Sequence, residues 1–245
     1  MRSLNALIAL SLVLVAQTAW AGAWLDPAAN PPDAVLSNYR NSIAMQDDFI
    51  SGVSTSGQIG RLGWAAIGGI TTAIDSEVNH PGFFRRSTGT VINTLTTLHL
   101  YNGVASAWFS PAIFDVIWVI RLNESDTNTQ WRIGSISSYS SNPPNFGAYF
   151  EKLDADTNWW FVTRNSGTQT RTDTGIAVTP GAWINLKIKM TTTIVTAYIN
   201  DSLVATHTTN IPTQHHVSIQ GINSAAAAKT IDIDYCEIVI TNLVR

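Results

Sequence analysis

The sequence predicts an all-β protein, folded as a two-sheet antiparallel β-sandwich (a jelly roll) with a short N-terminal helix before it. From Asp47 onward, apolar residues alternate with polar ones or form short continuous runs, and turn residues separate these runs. β-Branched and aromatic residues dominate the runs, as is typical of strands. No later segment has a convincing helical period. A domain of many strands without intervening helices has to pack one sheet against another to bury its apolar faces.

Residues that favour turns bound the predicted strands. Two of these turns are Asn165-Ser166-Gly167 and Asn200-Asp201-Ser202, and such residues suit tight hairpin connections. The predicted strands are Val91–Tyr101, Phe114–Leu122, Trp131–Ser137, Gly147–Leu153, Trp159–Arg164, Thr168–Thr172, Trp183–Met190, Thr193–Asn200, Leu203–Thr208, His216–Ile222 and Thr230–Ile240.

The composition describes a surface that is polar but weakly charged. Charged residues make up 13% of the chain, about half the share of an average soluble domain. The formal net charge is −3, and the basic residues are scattered along the sequence. Proteins that bind nucleic acids concentrate their basic residues on one face or stripe, so no nucleic-acid partner is expected.

The N-terminus has the three parts of a cleavable signal peptide, predicted to cover residues 1–21. Arg2 supplies the positive charge, Leu4–Ala16 the apolar region, and Ala19-Trp20-Ala21 the small-residue cleavage site. The apolar region is short for a transmembrane helix, so membrane attachment is expected only if the segment stays uncleaved. The predicted location is therefore secreted or periplasmic.

A lead-in, residues 22–45, separates the signal peptide from the sandwich, which is predicted over residues 46–245. Prolines keep its first part extended or turned. Apolar residues near its end have helical spacing, which predicts the short helix. The prolines are Pro27, Pro31 and Pro32, and the spaced residues are Leu36, Tyr39 and Ile43.

Several short motifs indicate a family. They are Asp47-Asp48-Phe49-Ile50-Ser51-Gly52, Ile59-Gly60-Arg61-Leu62-Gly63-Trp64, His80-Pro81-Gly82, Arg86-Ser87-Thr88-Gly89-Thr90, Tyr149-Phe150-Glu151-Lys152, Ala182-Trp183-Ile184-Asn185-Leu186, Tyr198-Ile199-Asn200-Asp201 and Ile231-Asp232-Ile233-Asp234-Tyr235. The series resembles a concanavalin A-like (lectin/glucanase, laminin-G-like) jelly roll over roughly residues 46–242. It is most similar to the variant found in bacteriophage tail and other virion structural proteins.

The resemblance implies that the first and last strands pair and that one sheet is concave. In lectin-like members, the concave face and its rim loops bind glycans. The resemblance therefore implies a carbohydrate partner or a surface or virion assembly partner, with the virion as the alternative location. One fold hosts many functions, so the residues themselves have to decide between these partners.

The last predicted strand contains a carboxylate motif, Asp232-x-Asp234-x-x-Glu237. Its spacing resembles the E-x-D-x-x-E signature of laminarinase-type glycoside hydrolases. A retaining glycosidase needs two carboxyls about 5–5.5 Å apart. Strand alternation predicts that Glu237 faces away from the other two acids unless a bulge intervenes.

Simple alternation also explains this motif: the acids would lie on the solvated side, while Ile231, Ile233 and Tyr235 face the core. No catalytic residue is therefore assigned. The alternative is a secreted glycoside hydrolase or polysaccharide lyase that uses the three acids.

The sequence Asp154-x-Asp156-x-Asn158 has the oxygen-ligand spacing with which calcium loops open. As a hairpin tip, it is explained equally by the turn preferences of Asp and Asn. A similar loop with Glu124 and Asp126 would add ligands if it lay alongside. No cofactor is expected apart from this candidate Ca²⁺ site.

A glycan site needs an exposed aromatic ring and fixed polar groups around it. The adjacent Trp159 and Trp160 must point to opposite faces of a strand, so one of them is expected to leave the core. Alternation groups Trp160 with Arg164, and Tyr149 with Glu151. The predicted ligand-binding residues are Tyr149, Glu151, Trp160, Arg164, Arg171, Arg121 and Arg132, with ordinary packing as the alternative.

The single cysteine, Cys236, lies in an apolar strand and is expected to be a small core residue. The sequence therefore favours a non-enzymatic jelly-roll module, exported or virion-borne, that binds glycans or serves as a structural surface protein.

Overall fold

The computed structural model describes residues 42–49, 58–60, 62–68, 70–100, 113–124, 128–137 and 141–241. Apart from Ser42 and Ile43, the described residues all belong to one compact unit, Ala44–Val244. The predicted signal peptide lies outside the described residues, as does the lead-in up to residue 41. Within the described part of the chain, no helix is long and apolar enough to cross a membrane.

Most of the described residues lie in strands, and these strands form two antiparallel sheets. This confirms the predicted sandwich. They are β1 (Ser42–Asp47), β2 (Gln58–Ile59), β3 (Trp64–Ile67), β4 (Ile70–Glu77), β5 (His80–Ser87), β6 (Leu95–Leu100), β7 (Ile113–Leu122), β8 (Thr129–Ile136), β9 (Gly147–Lys152), β10 (Asn158–Asn165), β11 (Thr168–Ala177), β12 (Trp183–Met190), β13 (Val195–Ile199), β14 (Ser202–His207), β15 (Val217–Asn223) and β16 (Thr230–Thr241).

Sheet A has the strand order β14-β13-β12-β7-β16-β5-β4, and β1 also pairs with β16. Sheet B has the order β11-β10-β9-β8-β15-β6-β3-β2. The last strand, β16, therefore lies in the middle of sheet A and pairs with β7 along nearly its whole length.

Two expected element boundaries are wrong. The predicted strand from Val91 begins only at Leu95, because Val91–Thr94 form a turn in which the Thr94 N–H donates to the Val91 carbonyl at 3.4 Å. Ile43, placed on a helical face by its spacing, lies in β1.

The core fills the space between the sheets because inward residues alternate with outward ones. In β7, every second side chain from Phe114 to Leu122 is buried, and the side chains between them are partly exposed. Large aromatic rings meet there, with the ring centroids of Trp64 and Trp118 5.2 Å apart. The thiol of Cys236 is fully buried in the same core, which confirms that it is a core residue.

A bulge interrupts the alternation in β16. Ile233 pairs with Ile120, but Val119 is opposite Tyr235, so Asp234 is the extra residue. Beyond the bulge, Cys236 takes the inward position and Tyr235 faces outward, so the expectation that Tyr235 faces the core is wrong. The bulge also places Glu237 on the same face as Asp232, against the simple alternation.

Sheet B is buried on both faces through its central strands: every residue of β9 and β15 is buried. The segment before β9 supplies part of the outer cover. Asn142 accepts a hydrogen bond from Arg132 at 2.9 Å, and the Asn145 carbonyl accepts one from the Gly167 N–H at 2.9 Å. The outer face of sheet B, meaning the side that points away from sheet A, is therefore partly covered.

Candidate functional site

A buried carboxylate anchors the outer face of sheet B. Glu151 in β9 stands between Arg132 in β8 and Trp160 in β10. Arg132 donates from Nε to one carboxylate oxygen at 2.8 Å, and Arg171 of β11 donates from Nε to the other at 2.9 Å. Glu151 and Arg132 are each only 4% exposed. Charge-assisted hydrogen bonds in such a dry setting hold all three side chains in fixed positions.

An aromatic ring extends this network towards solvent. The Arg171 guanidinium carbon lies 3.8 Å from the ring centroid of Trp160, close enough for a cation–π interaction. Arg171 also donates to Asp156. Trp160 is partly exposed, while Trp159 is buried in the core, so the two rings leave β10 on opposite faces as expected. We call Trp160, Arg171, Glu151, Arg132 and Asp156 the sheet B network.

A tyrosine is buried next to this network. Tyr149 packs with Ile136 and Val162 in a small apolar cluster on the same outer face. Its ring lies over Gly147, where an added Cβ would come within 2.9 Å of the ring. Burial and then the charge of Glu151 raise the pKa of Tyr149 to about 12, while Arg132 and Arg164 oppose the shift. The buried hydroxyl makes no hydrogen bond of normal geometry.

The arginines that the described strands place on this face differ in their partners. Arg132 and Arg171 form ion pairs with carboxylates. Arg164 forms none among the described residues, and its Nη1 donates to the neutral Gln169 at 2.6 Å. Its Nε is buried without a hydrogen-bond partner. The face therefore keeps one cation without a paired carboxylate.

Two further hydroxyl side chains lie on the outer face of sheet B. Strand register aligns Thr97 of β6 with the row of Arg132, and Ser218 of β15 with the row of Tyr149. The hydroxyl oxygens of Thr97 and Ser218 are buried and make no hydrogen bond. Buried polar groups usually find a partner, so these two mark unused hydrogen-bonding capacity.

A second ionic cluster lies on the outer face of sheet A, around Asp232. Arg85 donates to its two carboxylate oxygens at 2.6 and 2.8 Å, and Arg121 donates to Oδ2 at 2.7 and 3.1 Å. Asp232 is fully buried. Burial alone would raise the pKa of Asp232, but hydrogen bonds from Arg85 and Arg121 outweigh it and keep that pKa below the ordinary value.

The hairpin of β4 and β5 covers this cluster. Glu77 accepts hydrogen bonds from Trp183 and from Arg121. These bonds, Trp183 first, lower the pKa of Glu77. The Arg121 guanidinium lies 4.5 Å from the Trp183 ring centroid, and His80 stacks on the same ring at 4.1 Å. We call Asp232, Arg85, Arg121, Glu77, Trp183 and His80 the sheet A clasp.

The structure brings most of the predicted ligand-binding residues together. Arg121 is the exception: it belongs to the sheet A clasp, because β7 lies in the other sheet, and its predicted place among them is wrong. The residues that share the outer face of sheet B are Tyr149, Glu151, Trp160, Arg164, Arg171 and Arg132.

The acids of the last strand are each engaged. Asp232 is held by arginines, and Asp234 lies 2.8 Å from Nδ1 of His80. Glu237 accepts a hydrogen bond from the Tyr235 hydroxyl at 3.2 Å and one from Gln46 at 3.3 Å. Glu237 shares the outward face with Asp232, because a bulge, the condition under which the motif allowed this, does occur at Asp234.

The predicted calcium ligands each form hydrogen bonds or ion pairs with a different side chain. Asp154 accepts from Ser224, Asp156 from Arg171, and Asn158 donates to Asp173 at 3.0 Å. Glu124 binds the Thr230 backbone N–H at 2.7 Å, and Asp126 lies outside the described residues. In the described part of the chain, no group of His, Cys, Asp and Glu is arranged to hold a metal. The calcium site stays a prediction.

Sequence reasoning missed the sheet A clasp. Its members are far apart in the chain and meet only because β5, β7 and β16 are neighbours in sheet A. An unusual run of aromatic and basic residues, Phe83 to Arg86, was the one local signal.

Comparison with known proteins identifies the family and the fold. The family model described as "SO2946-like, C-terminal domain" matches residues 79–234, more than half of the chain. No curated protein matches. The crystal structure of a protein of unknown function, SO2946 from Shewanella oneidensis MR-1, is similar with a TM-score of 0.60 and 18% identity, covering 90% of this chain and 98% of that one.

Solved carbohydrate-related structures share the fold. A GH16 protein of the Bacteroides ovatus mixed linkage glucan PUL, in complex with G4G4G3G product, has a TM-score of 0.57 and 8% identity, covering 79% of this chain and 99% of that one. The carbohydrate recognition domain of Emp47p has a TM-score of 0.52 and 10% identity, covering 84% and 98%. At these identities the likeness shows the fold alone, a jelly-roll β-sandwich that this chain shares with these carbohydrate-related structures.

Proposed function

We propose that this chain, which belongs to the SO2946-like C-terminal domain family, is a non-enzymatic carbohydrate-binding module. Its binding surface is the outer face of sheet B. The observation that carries the proposal is the sheet B network, in which a partly exposed tryptophan is fixed against ion-paired arginines and acids.

This arrangement suits a sugar for two physical reasons. The apolar face of a sugar ring packs on an aromatic surface, and its hydroxyls need donors and acceptors at fixed positions. Trp160 supplies the ring, and the ionised groups around it supply both hydrogen-bond roles. Because Arg171 is already ordered by Glu151 and Asp156, a ligand would lose little side-chain entropy on binding.

The carboxylates of this face argue against hydrolysis. Glycosidases ordinarily need two carboxyl groups flanking the scissile bond. The sheet B network contains two carboxylates, Glu151 and Asp156, and arginines hold both: Arg132 and Arg171 bind the two oxygens of Glu151, and Arg171 also pairs with Asp156. On the other sheet, the bulge does bring Asp232 and Glu237 to one face, which is the one observation that favours the hydrolase or lyase alternative. Asp232 is nevertheless buried beneath its arginines.

Glycan binding is tested with the purified chain on a glycan array, followed by calorimetry with the strongest ligand. Trp160→Ala should weaken binding at least tenfold, on the order of the loss of one stacked aromatic contact. Trp183→Ala is the matched control, because Trp183 also stacks with an arginine but lies on sheet A. Its affinity should stay within twofold of the unaltered chain. No glycan bound by the unaltered chain would refute the proposal.

The enzyme alternative has its own assay. Release of reducing sugar from β-glucans, agars and alginates, or of unsaturated product, should be absent. Activity that disappears in Asp234→Asn would support the alternative instead.

Export through residues 1–21 fits this function, since most polysaccharides that such a module would meet lie outside the cell membrane. N-terminal sequencing of the secreted chain tests cleavage after Ala21. Detection of the chain in purified virions would instead support the virion setting that its motifs resemble.

A further inference from the structure

We propose that the outer face of sheet B selects acidic glycans, with Arg164 and Tyr149 binding an oxyanion of the sugar, a carboxylate or a sulfate. The inference rests on the proposed carbohydrate-binding function and names its substrate class. It begins from the one arginine of this face that has no carboxylate partner among the described residues.

The charges of the sheet B network already balance within it. Arg132 and Arg171 are matched by Glu151 and Asp156, through contacts of 2.8 and 2.9 Å to Glu151 and a direct pair with Asp156. A ligand anion placed at these arginines would compete with carboxylates that are nearly dry. Arg164 makes no such pair, so a bound anion there displaces only water and the neutral Gln169.

Two buried, unused donors converge at this point. The Nε of Arg164 and the hydroxyl of Tyr149 are both buried and lack hydrogen-bond partners. Strand register places Arg164 opposite Gly147 of β9, and the Tyr149 ring lies over that glycine, so the two side chains are neighbours on this face. Leaving buried donors unpaired costs free energy, and an acceptor with two oxygens would satisfy both at once.

The site is open from one side. Arg164 is partly exposed and Gln169 is exposed at the end of the β10–β11 hairpin, while Tyr149 forms the buried floor. Trp160 lies on the same face of the same strand, four residues away, which in an extended strand is about 13 Å. The ligand inferred from this spacing is an oligosaccharide with one ring on Trp160 and an acidic group at Arg164.

Calorimetry with matched oligosaccharides tests this inference. The probes are oligogalacturonates, neutral oligosaccharides of the same length, and a sulfated oligosaccharide. The unaltered chain should bind an acidic probe at least tenfold more tightly than the neutral one, and the preference should weaken as salt is added. Binding of the uronate series identifies a carboxylate as the oxyanion, and binding of the sulfated probe alone identifies a sulfate.

Two variants separate charge from shape. Arg164→Gln should remove the acidic preference, so that acidic and neutral probes bind alike, while Arg164→Lys should recover part of it. Lys189→Gln is the control for loss of a positive charge, since Lys189 pairs with Asp115 on sheet A, and it should change nothing. Tyr149→Phe should weaken acidic binding several-fold and leave the melting temperature nearly unchanged, because the hydroxyl makes no hydrogen bond of normal geometry.

The outcomes distinguish the two proposals. Equal binding of neutral and acidic probes, unaffected by Arg164→Gln, would overturn the acidic preference and leave the carbohydrate-binding function standing. No binding of any probe, acidic or neutral, would overturn both.

Discussion

The sheet A clasp and the sheet B network contain the same arrangement of charged and aromatic side chains but differ in what surrounds the tryptophan. In each, a buried carboxylate is held by two arginines, and one of those arginines lies over a tryptophan: Asp232, Arg121 and Trp183 in one, Glu151, Arg171 and Trp160 in the other. The pairing of charge, planar cation and aromatic ring therefore cannot by itself identify a binding site.

The difference lies in what surrounds the tryptophan. In the clasp, Glu77 accepts a hydrogen bond from the indole N–H of Trp183, and His80 stacks on its ring. Residues of the β4–β5 hairpin therefore already occupy both the N–H and a face of this tryptophan. Around the sheet B network, Arg164, Tyr149, Thr97 and Ser218 keep buried donors without partners. We infer that the clasp fastens the fold, while the network retains hydrogen-bonding capacity for a ligand.

Removal of the clasp carboxylate should have the largest effect on stability. Asp232→Ala removes the buried carboxylate that Arg85 and Arg121 share and leaves Arg121 its pair with the more exposed Glu77, and breaking a buried ion pair in this way costs ~3–5 kcal/mol. Urea unfolding followed by circular dichroism measures the loss. Asp115→Ala on the same sheet is the control, because its pair with Lys189 is exposed, and it should cost ~0–1 kcal/mol. Equal losses in the two variants would contradict a structural role for the clasp.

A matched pair of arginine substitutions separates the two regions more finely. Lysine keeps the charge but loses the planar fork and the stacking on tryptophan. Arg121→Lys should lower the free energy of unfolding by about 1–2 kcal/mol, the scale of one or two charged hydrogen bonds, without changing glycan affinity. Arg171→Lys, which is partly exposed, should lower stability less and weaken glycan binding about tenfold. If Arg121→Lys weakened binding as much as Arg171→Lys, the assignment of the site to sheet B would fail.

Local sequence patterns were sufficient for the sandwich and for most of the outer face of sheet B. The alternation in β7 predicted its buried side, and the Trp159-Trp160 pair required one ring to leave the core. Six of the predicted ligand residues lie on β8, β9 and β10, or next to them on β11, where consecutive hairpins keep neighbours in sequence next to each other in the sheet.

The features that the sequence did not predict depend on how strands distant in the chain pair with each other. Arg121 went to the wrong face because only the packing of β7 between β12 and β16 fixes its sheet. The bulge at Asp234 has no sequence signal of its own, since alternation fits the motif equally well without it. Alternation placed Arg164 correctly on the polar face. That it has no carboxylate partner among the described residues could not be predicted, because this depends on where the other carboxylates lie in the fold.

Acid should weaken sheet B before it weakens the clasp. Burial, and then the charge of His216, lowers the pKa of His99 in β6 to about 4, and burial lowers the pKa of His215 to about 4. The unfolded chain therefore binds more protons than the folded chain between about pH 6.5 and 4, and stability falls as the pH drops through this window. The lowered pKa of Asp232 acts in the same direction but at lower pH: its contribution is complete above the ordinary Asp pKa and is lost only as the pH falls further, through its folded-state pKa. Thermal unfolding at successive pH values should show the melting temperature falling from pH 6.5 to pH 4. His99→Asn should make this fall shallower. A melting temperature that stays constant down to pH 4 would show that the buried imidazoles do not determine the pH dependence of stability.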